Sequence, residues 1–239
     1  MVRPGYRRQQ VFERVHRFAR LAVLSALVVV LAGCVSGAPS LGQSSVSAGA
    51  LSTAAQWASS LTVLFQQTLD NNGADFYKDG LTDQERTILQ RAVQAGSISA
   101  ADYEAVHATY VACMVQRGIN PVPEQKGTDG VYYQALYNWT TASFTDAQYQ
   151  DGLIACQPLS GIVQFLYSTQ QSNPNLYSDQ SEAAVDCLRR NGIVDASYTA
   201  VQFDQDQASG ATAFPFDVYE PVAHTCLISA GYGYFRVDG

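Results

Sequence analysis

Four cysteines of this 239-residue chain, Cys113, Cys156, Cys187 and Cys226, are each followed five positions later by a glycine: Gly118, Gly161, Gly192 and Gly231. With glycine at about 7% of residues, such a coincidence has a chance on the order of 10⁻⁴ after free choice of the offset. A glycine in the left-handed conformation ends a helix, so the pattern predicts a cysteine about one turn before each of four helix ends. The surroundings repeat as well. Cys113-Met-Val-Gln-Arg-Gly-Ile119 aligns with Cys187-Leu-Arg-Arg-Asn-Gly-Ile193, and Phe144-x4-Tyr149-x6-Cys156 aligns with Phe214-x4-Tyr219-x6-Cys226. This predicts an internal duplication, residues 101–167 and 179–236, with two cysteines at fixed stations in each copy.

The N-terminus indicates the redox setting. Six arginines (Arg3, Arg7, Arg8, Arg14, Arg17, Arg20) precede an apolar run, Leu21 to Leu31, and then small residues and Cys34. Basic, apolar and small segments in that order make a secretory signal. The run has 11 residues, short of the roughly 20 a spanning helix needs. Twelve residues, Gln9 to Arg20, separate Arg7-Arg8 from the run, too many for a good twin-arginine signal, which favours the general secretory route. The ending Leu31-Ala32-Gly33-Cys34 resembles the lipobox of bacterial lipoproteins. That resemblance implies cleavage before Cys34, lipid (palmitate-type acyl chains) on its thiol, and a cell-membrane anchor with the mature chain on the extracytoplasmic face. Two acyl chains hold a protein firmly where one does so only marginally.

An even cysteine count in a secreted domain reads as disulfides. The repeat favours Cys113–Cys156 and Cys187–Cys226, one staple per unit, among three connectivities. A zinc site of all four is the rival, but no two are paired at the close spacing zinc sites use.

Six of the 14 basic and one of the 21 acidic side chains precede Cys34, leaving eight against 20, a net charge of −12 for the mature part. Such a surface repels phosphate backbones and anionic headgroups, which argues against nucleic acid as a partner. Residues 34–50 are Ser-, Gly- and Ala-rich and read as a flexible tether after the 1–33 signal; residues 51–239 read as one mainly α, disulfide-stapled helical domain.

Within it, helical spacing from Leu51 to Leu69 predicts a first helix, broken at Asn71-Asn72-Gly73. Thr82 with Glu85 forms a capping-box signature for a second helix ending at Gly96. Ser99 or Ala101 opens a third that stops at Gly118. Residues 120–143 read as irregular, and helices are expected at 145–157, 179–191, 197–208 and 217–230. Gly161-Ile-Val-Gln-Phe-Leu-Tyr167 is the best strand candidate.

Chemistry-bearing motifs are sparse. There is no Gly-x-Ser-x-Gly elbow, His-Glu-x-x-His, phosphate loop or dinucleotide fingerprint, and no cofactor or catalytic residue is assigned. His107 and His224 read better as structural histidines than as general bases. Asp70-Asn71-Asn72-Gly73-Ala74-Asp75 offers oxygen ligands, but Leu81 stands where a calcium loop places its closing Glu, so an Asx-rich turn is the better reading and no metal site is assigned. Asp204-Gln-Asp206 is a weaker cluster still. Asn138-Trp139-Thr140 is a glycosylation sequon by letter only. The aromatic stretch Val131 to Thr140, continuing to Phe144 and Tyr149 and including Tyr132, Tyr133, Tyr137 and Trp139, is either a loop folded onto the core or a face for a protein partner or a cell-wall glycan.

The segments Leu81-Thr-Asp-Gln-Glu-Arg, Ile98-Ser-Ala-Ala-Asp-Tyr-Glu and Cys113-Met-Val-Gln-Arg-Gly118 resemble uncharacterised envelope lipoproteins of high-GC Gram-positive bacteria. The resemblance implies an extracytoplasmic setting and carries no activity. The expectation is a non-catalytic lipoprotein that binds an envelope partner or cell-wall component. A carboxylate-based envelope hydrolase and a small solute-binding lipoprotein are the alternatives.

Overall fold

Ser, Thr, Asp and Glu at the start of apolar-periodic segments set the helices. A computed structural model describes residues 55–135 and 142–233. Its α-helices are α1 (Leu61–Asp70), α2 (Asp83–Ala95), α3 (Ala100–Gln116), α4 (Asp146–Cys156), α5 (Gly161–Ser172), α6 (Gln180–Arg190), α7 (Ala200–Ser209) and α8 (Pro221–Ser229). A 3₁₀ turn, Gln157–Leu159, joins α4 to α5. Strands β1 (Glu124–Lys126) and β2 (Tyr132–Gln134) form an antiparallel hairpin with Gln125 opposite Tyr133.

Side chains of Ser60, Thr82, Ser99, Thr145, Asp179, Thr199 and Glu220 accept from first-turn amides of α1, α2, α3, α4, α6, α7 and α8. Each satisfies donors that a helix start leaves open. At α5, Ser160 makes no such bond. The cap comes from another helix. Glu85 Oε1 accepts from the amides of Ile162 (3.0 Å) and Val163 (3.3 Å), while Oε2 accepts from the Thr82 amide (3.1 Å) and hydroxyl (3.0 Å). One fully buried carboxylate therefore caps two helices.

Three sequence expectations are corrected. The run Gly161–Tyr167 is helical: Ile162, Val163, Leu166 and Tyr167 are buried, two adjacent pairs four residues apart, which marks one face of a helix. The first helix begins at Leu61 rather than Leu51; before it Gln56 bridges Tyr177, and the Trp57 amide donates to the Leu176 carbonyl (2.9 Å). The segment expected to be irregular holds the hairpin. The glycine rule also divides. Gly118, Gly192 and Gly231 have φ of 83°, 70° and 94°, as helix ends require, but Gly161 is the first residue of α5. Its need for glycine is steric: a Cβ there would lie 2.4 Å from Tyr77 Oη.

Three apolar clusters fill the interior. The first joins α1, α2, α3, α5 and the hairpin around Phe65, Leu89, Val106 and Leu166. The second joins α6, α7 and α8 around Leu188, Phe203 and Leu227. The third is smaller: Tyr110, Met114, Ile119, Phe144, Tyr149 and Cys156, between the C-terminal half of α3 and α4. Both disulfides are present. Cys113–Cys156 ties α3 to α4 across a Cα–Cα distance of 5.7 Å, and Cys187–Cys226 ties α6 to α8 across 5.6 Å.

Candidate functional site

Among the described residues, a grouping of aromatic and ionisable side chains lies where the hairpin meets α3. Tyr103, Glu104 and His107 sit on the face of α3 turned to the hairpin, as positions i, i+1 and i+4 must. Tyr103 stacks on Tyr167 of α5 with centroids 4.2 Å apart. His107 stacks on Tyr132 of β2 at 3.7 Å, rings 5° from parallel, and its Nε2 lies 2.8 Å from Glu124 Oε2 of β1. The Tyr132 amide points away from β1 and donates to the Tyr103 phenol oxygen (2.8 Å), so the outer edge of β2 is hydrogen-bonded to the helix. Glu104 receives the Lys126 ammonium and the Tyr132 hydroxyl (3.2 Å), and Lys126 Nζ stands 5.0 Å from the Tyr132 ring centroid.

Charge follows this wiring. The hydrogen bond from Lys126 holds the Glu104 carboxyl below the usual carboxylate range, and Glu104 in turn raises Lys126. Burial pushes the Tyr103 phenol far above its ordinary 10, with Glu124, Glu104 and Asp129 adding to the shift. Burial raises Tyr133 further still, helped by Asp129, which accepts a hydrogen bond from its hydroxyl. These phenols stay protonated at neutral pH and act as hydrogen-bonding groups. The assembly fastens a charged, aromatic hairpin rigidly to a helix.

Of the residues singled out in the sequence, Tyr132 and Tyr133 are brought together on β2 with opposite fates, as alternation along a strand demands. Tyr132 is half-buried at the rim; Tyr133 is buried, 6% exposed, and forms part of the first core rather than of any exposed face. Tyr137, Trp139 and the lipid-site Cys34 lie outside the described residues. Cys113, Cys156, Cys187 and Cys226 are in the two disulfides. His107 belongs to the aromatic cluster, and His224 lies on α8, two residues before Cys226. In the Asp70–Asp75 loop, Asn71 Oδ1 accepts the Gly73 amide (2.9 Å) and its amide nitrogen donates to Asp75. That is the Asx turn. Asp204 accepts from Ser181, and Asp206 from Tyr198 (2.7 Å). No group of three or more potential metal ligands occurs among the described residues, and none of their helices is long and apolar enough to cross a membrane.

Sequence reasoning passed over Tyr103, Glu104, Glu124 and Lys126. The one available signal was Tyr103-Glu104 one turn ahead of His107 on a helix. The partner strand carried no comparable cue.

Shallow grooves mark the surface of the described residues. One, about 350 Å³, runs along Asp83, Thr87, Arg91 and Asp102 between α2 and α3. Another, about 290 Å³, lies at the turn after α6 beside Ile193, Tyr198 and Pro215. Compared with protein-family models, curated proteins and solved structures, the chain finds no match.

Proposed function

We propose that this chain is a lipoprotein of the bacterial cell envelope, held through Cys34 on the extracytoplasmic face of the membrane, that binds an envelope protein without catalysing a reaction. The observation that carries the address is the pair of disulfides, in a chain whose N-terminal sequence reads as a secretory signal ending in the lipobox-like Leu31-Ala32-Gly33-Cys34. Disulfides persist in oxidising compartments, so the oxidised state and the signal agree.

The partner face in this reading is the rim of the hairpin, with half-buried Tyr132 and exposed Gln125 and Lys126; Tyr137 and Trp139, which follow in the sequence, lie outside the described residues. Aromatic side chains on a rigid support lose little conformational entropy on binding, which suits them as anchors. Here the support is the His107–Glu124 and Glu104–Lys126 wiring. The two stapled units are, in the same reading, copies of one ancestral helical unit.

The test is intact mass of protein from native membranes, before and after reduction with alkylation, followed by crosslinking from a photoreactive residue placed at Gln125. A lipid-modified mass beginning at Cys34, four cysteines alkylated only after reduction, and one reproducible envelope crosslink lost in Tyr132→Ala would support the reading. An unmodified N-terminus, or crosslinks indifferent to Tyr132, would overturn it.

A further inference from the structure

The two disulfides are alike in loop length, 43 and 39 residues, but sit in unlike surroundings. Cys187 and Cys226 are both buried, 5% and 1% exposed, inside the larger second core. The Asn191 side-chain amide lies over that bond, its Nδ2 3.7 Å from one sulfur and 3.6 Å from the other. At the first disulfide Cys156 is fully buried but Cys113 is only half-buried, and Arg117, at the position matching Asn191, is exposed. Thiol–disulfide exchange needs a nucleophile to reach one sulfur, so access decides which bond reacts.

What each bond holds also differs. Helix α6 buries Ala183, Ala184, Val185 and Leu188 besides its cysteine. Helix α4 buries only Tyr149, Gly152 and Cys156, and Tyr149 is its one fully buried large side chain. Gly152 lets α4 press against α3, since a Cβ there would lie 2.8 Å from Ile119 Cδ1 and 3.0 Å from Met114 Sδ. Besides the staple, α4 is held by Tyr149, by half-buried Leu153 and by the close contact at Gly152, a smaller buried apolar set than that of α6. Segments that bury few apolar contacts open at low cost, independently of the rest of a fold.

We infer that Cys113–Cys156 is an exchangeable disulfide, a redox-sensitive clamp whose opening by a dithiol reductant releases α4 while the other two cores and Cys187–Cys226 stay intact. A thiolate of the dithiol attacks Cys113 Sγ, the protein S–S bond breaks, and Cys156 leaves as a thiolate and takes up a proton. The second thiol of the dithiol then attacks its sulfur in the mixed disulfide, freeing Cys113 and closing the reductant's own disulfide. Two electrons pass to the protein. Release of α4 uncovers Tyr110, Met114, Phe144 and Tyr149, an apolar surface that exists only in the reduced form.

The experiment treats the folded, full-length protein with dithiothreitol under native conditions, quenches with an alkylating agent at intervals, and maps the modified cysteines by mass. Hydrogen exchange is read on the same samples. Cys113 and Cys156 should become alkylated at least about ten times faster than Cys187 and Cys226. Loss of exchange protection should be confined to α4 and its contacts on α3. Equal rates, prior reduction of Cys187–Cys226, or undiminished protection of α4 after Cys113 and Cys156 are alkylated would each overturn the inference. The readout uses the wild-type chain and does not depend on a cysteine variant folding.

Discussion

Glu85 shows how much one side chain can hold. Its two oxygens accept from Thr82 at the start of α2 and from Ile162 and Val163 at the start of α5, with no exposure to solvent. Removing the carboxylate leaves buried donors without an acceptor, at about 1–3 kcal/mol each, and removes two caps at about 1 kcal/mol apiece. We expect Glu85→Ala to lower stability by about 3 kcal/mol or more in denaturant titration. Glu85→Gln, which keeps one acceptor oxygen and the capping-box geometry, should cost less than half as much. A loss below about 1 kcal/mol for the alanine variant would show that water replaces the carboxylate. Glu104 behaves differently because it lies at the rim. Lys126 lowers its pKa, so the pair contributes above the ordinary carboxylate pKa and that contribution fades as pH falls through the lowered value. At this exposure the energy is small. In Lys126→Met, the Glu104 carboxyl should titrate at higher pH than in the wild type when followed by NMR, and an unchanged titration would show that Lys126 does not set it.

At the scale of elements, α5 makes the sharpest case. Its first residue must be small because Tyr77 lies against it. Gly161→Ala should therefore cost about 1–3 kcal/mol through overpacking. Tyr77→Phe, which removes the oxygen nearest the new methyl, should recover part of that loss in a double-mutant cycle. Additive effects would place the strain elsewhere. The same helix shows where legibility ends. The helices opened by Thr82 and Ser99 were readable because the cap and the amide it receives are three residues apart. The start of α5 was not, because its cap stands 77 residues away in Glu85, and a short apolar run that opens on a glycine after a proline-containing turn fits strand and helix alike. The hairpin was hidden for a related reason. Its outer edge is satisfied by a phenol of α3, and its charged strand carries no alternation to betray it. The cysteine pairing was legible because the repeated Cys-x4-Gly stations supplied a register. In the candidate site only the aromatic half was visible: Tyr132 and Tyr133 stood out by density, whereas Glu104, Glu124 and Lys126 resembled any solvated charges until the fold placed them together.

For the whole molecule, the buried phenols set a boundary on the alkaline side. Tyr77, Tyr103, Tyr133 and Tyr232 lie in different parts of the chain, and burial is the largest cause of the upward shift at each. Below pH 10 both folded and unfolded chains keep these protons, and the phenols leave stability unchanged. Above it the unfolded chain gives up protons that the folded chain retains, so stability falls as pH rises towards the raised values. Tyr103 and Tyr133 are buried and carry most of this effect, while half-buried Tyr77 and Tyr232 add less because solvent screens them. The sign predicts cooperative unfolding on the alkaline side of pH 10. Tyrosinate absorbance and helical circular dichroism should therefore change together for these groups. Tyr77→Phe removes one of the four contributions, and its unfolding midpoint should move to higher pH. If all tyrosines ionised gradually while helicity stayed constant, the phenols would be reaching solvent without unfolding, and the interior around α3, α5 and the hairpin would be looser than its stacked rings imply.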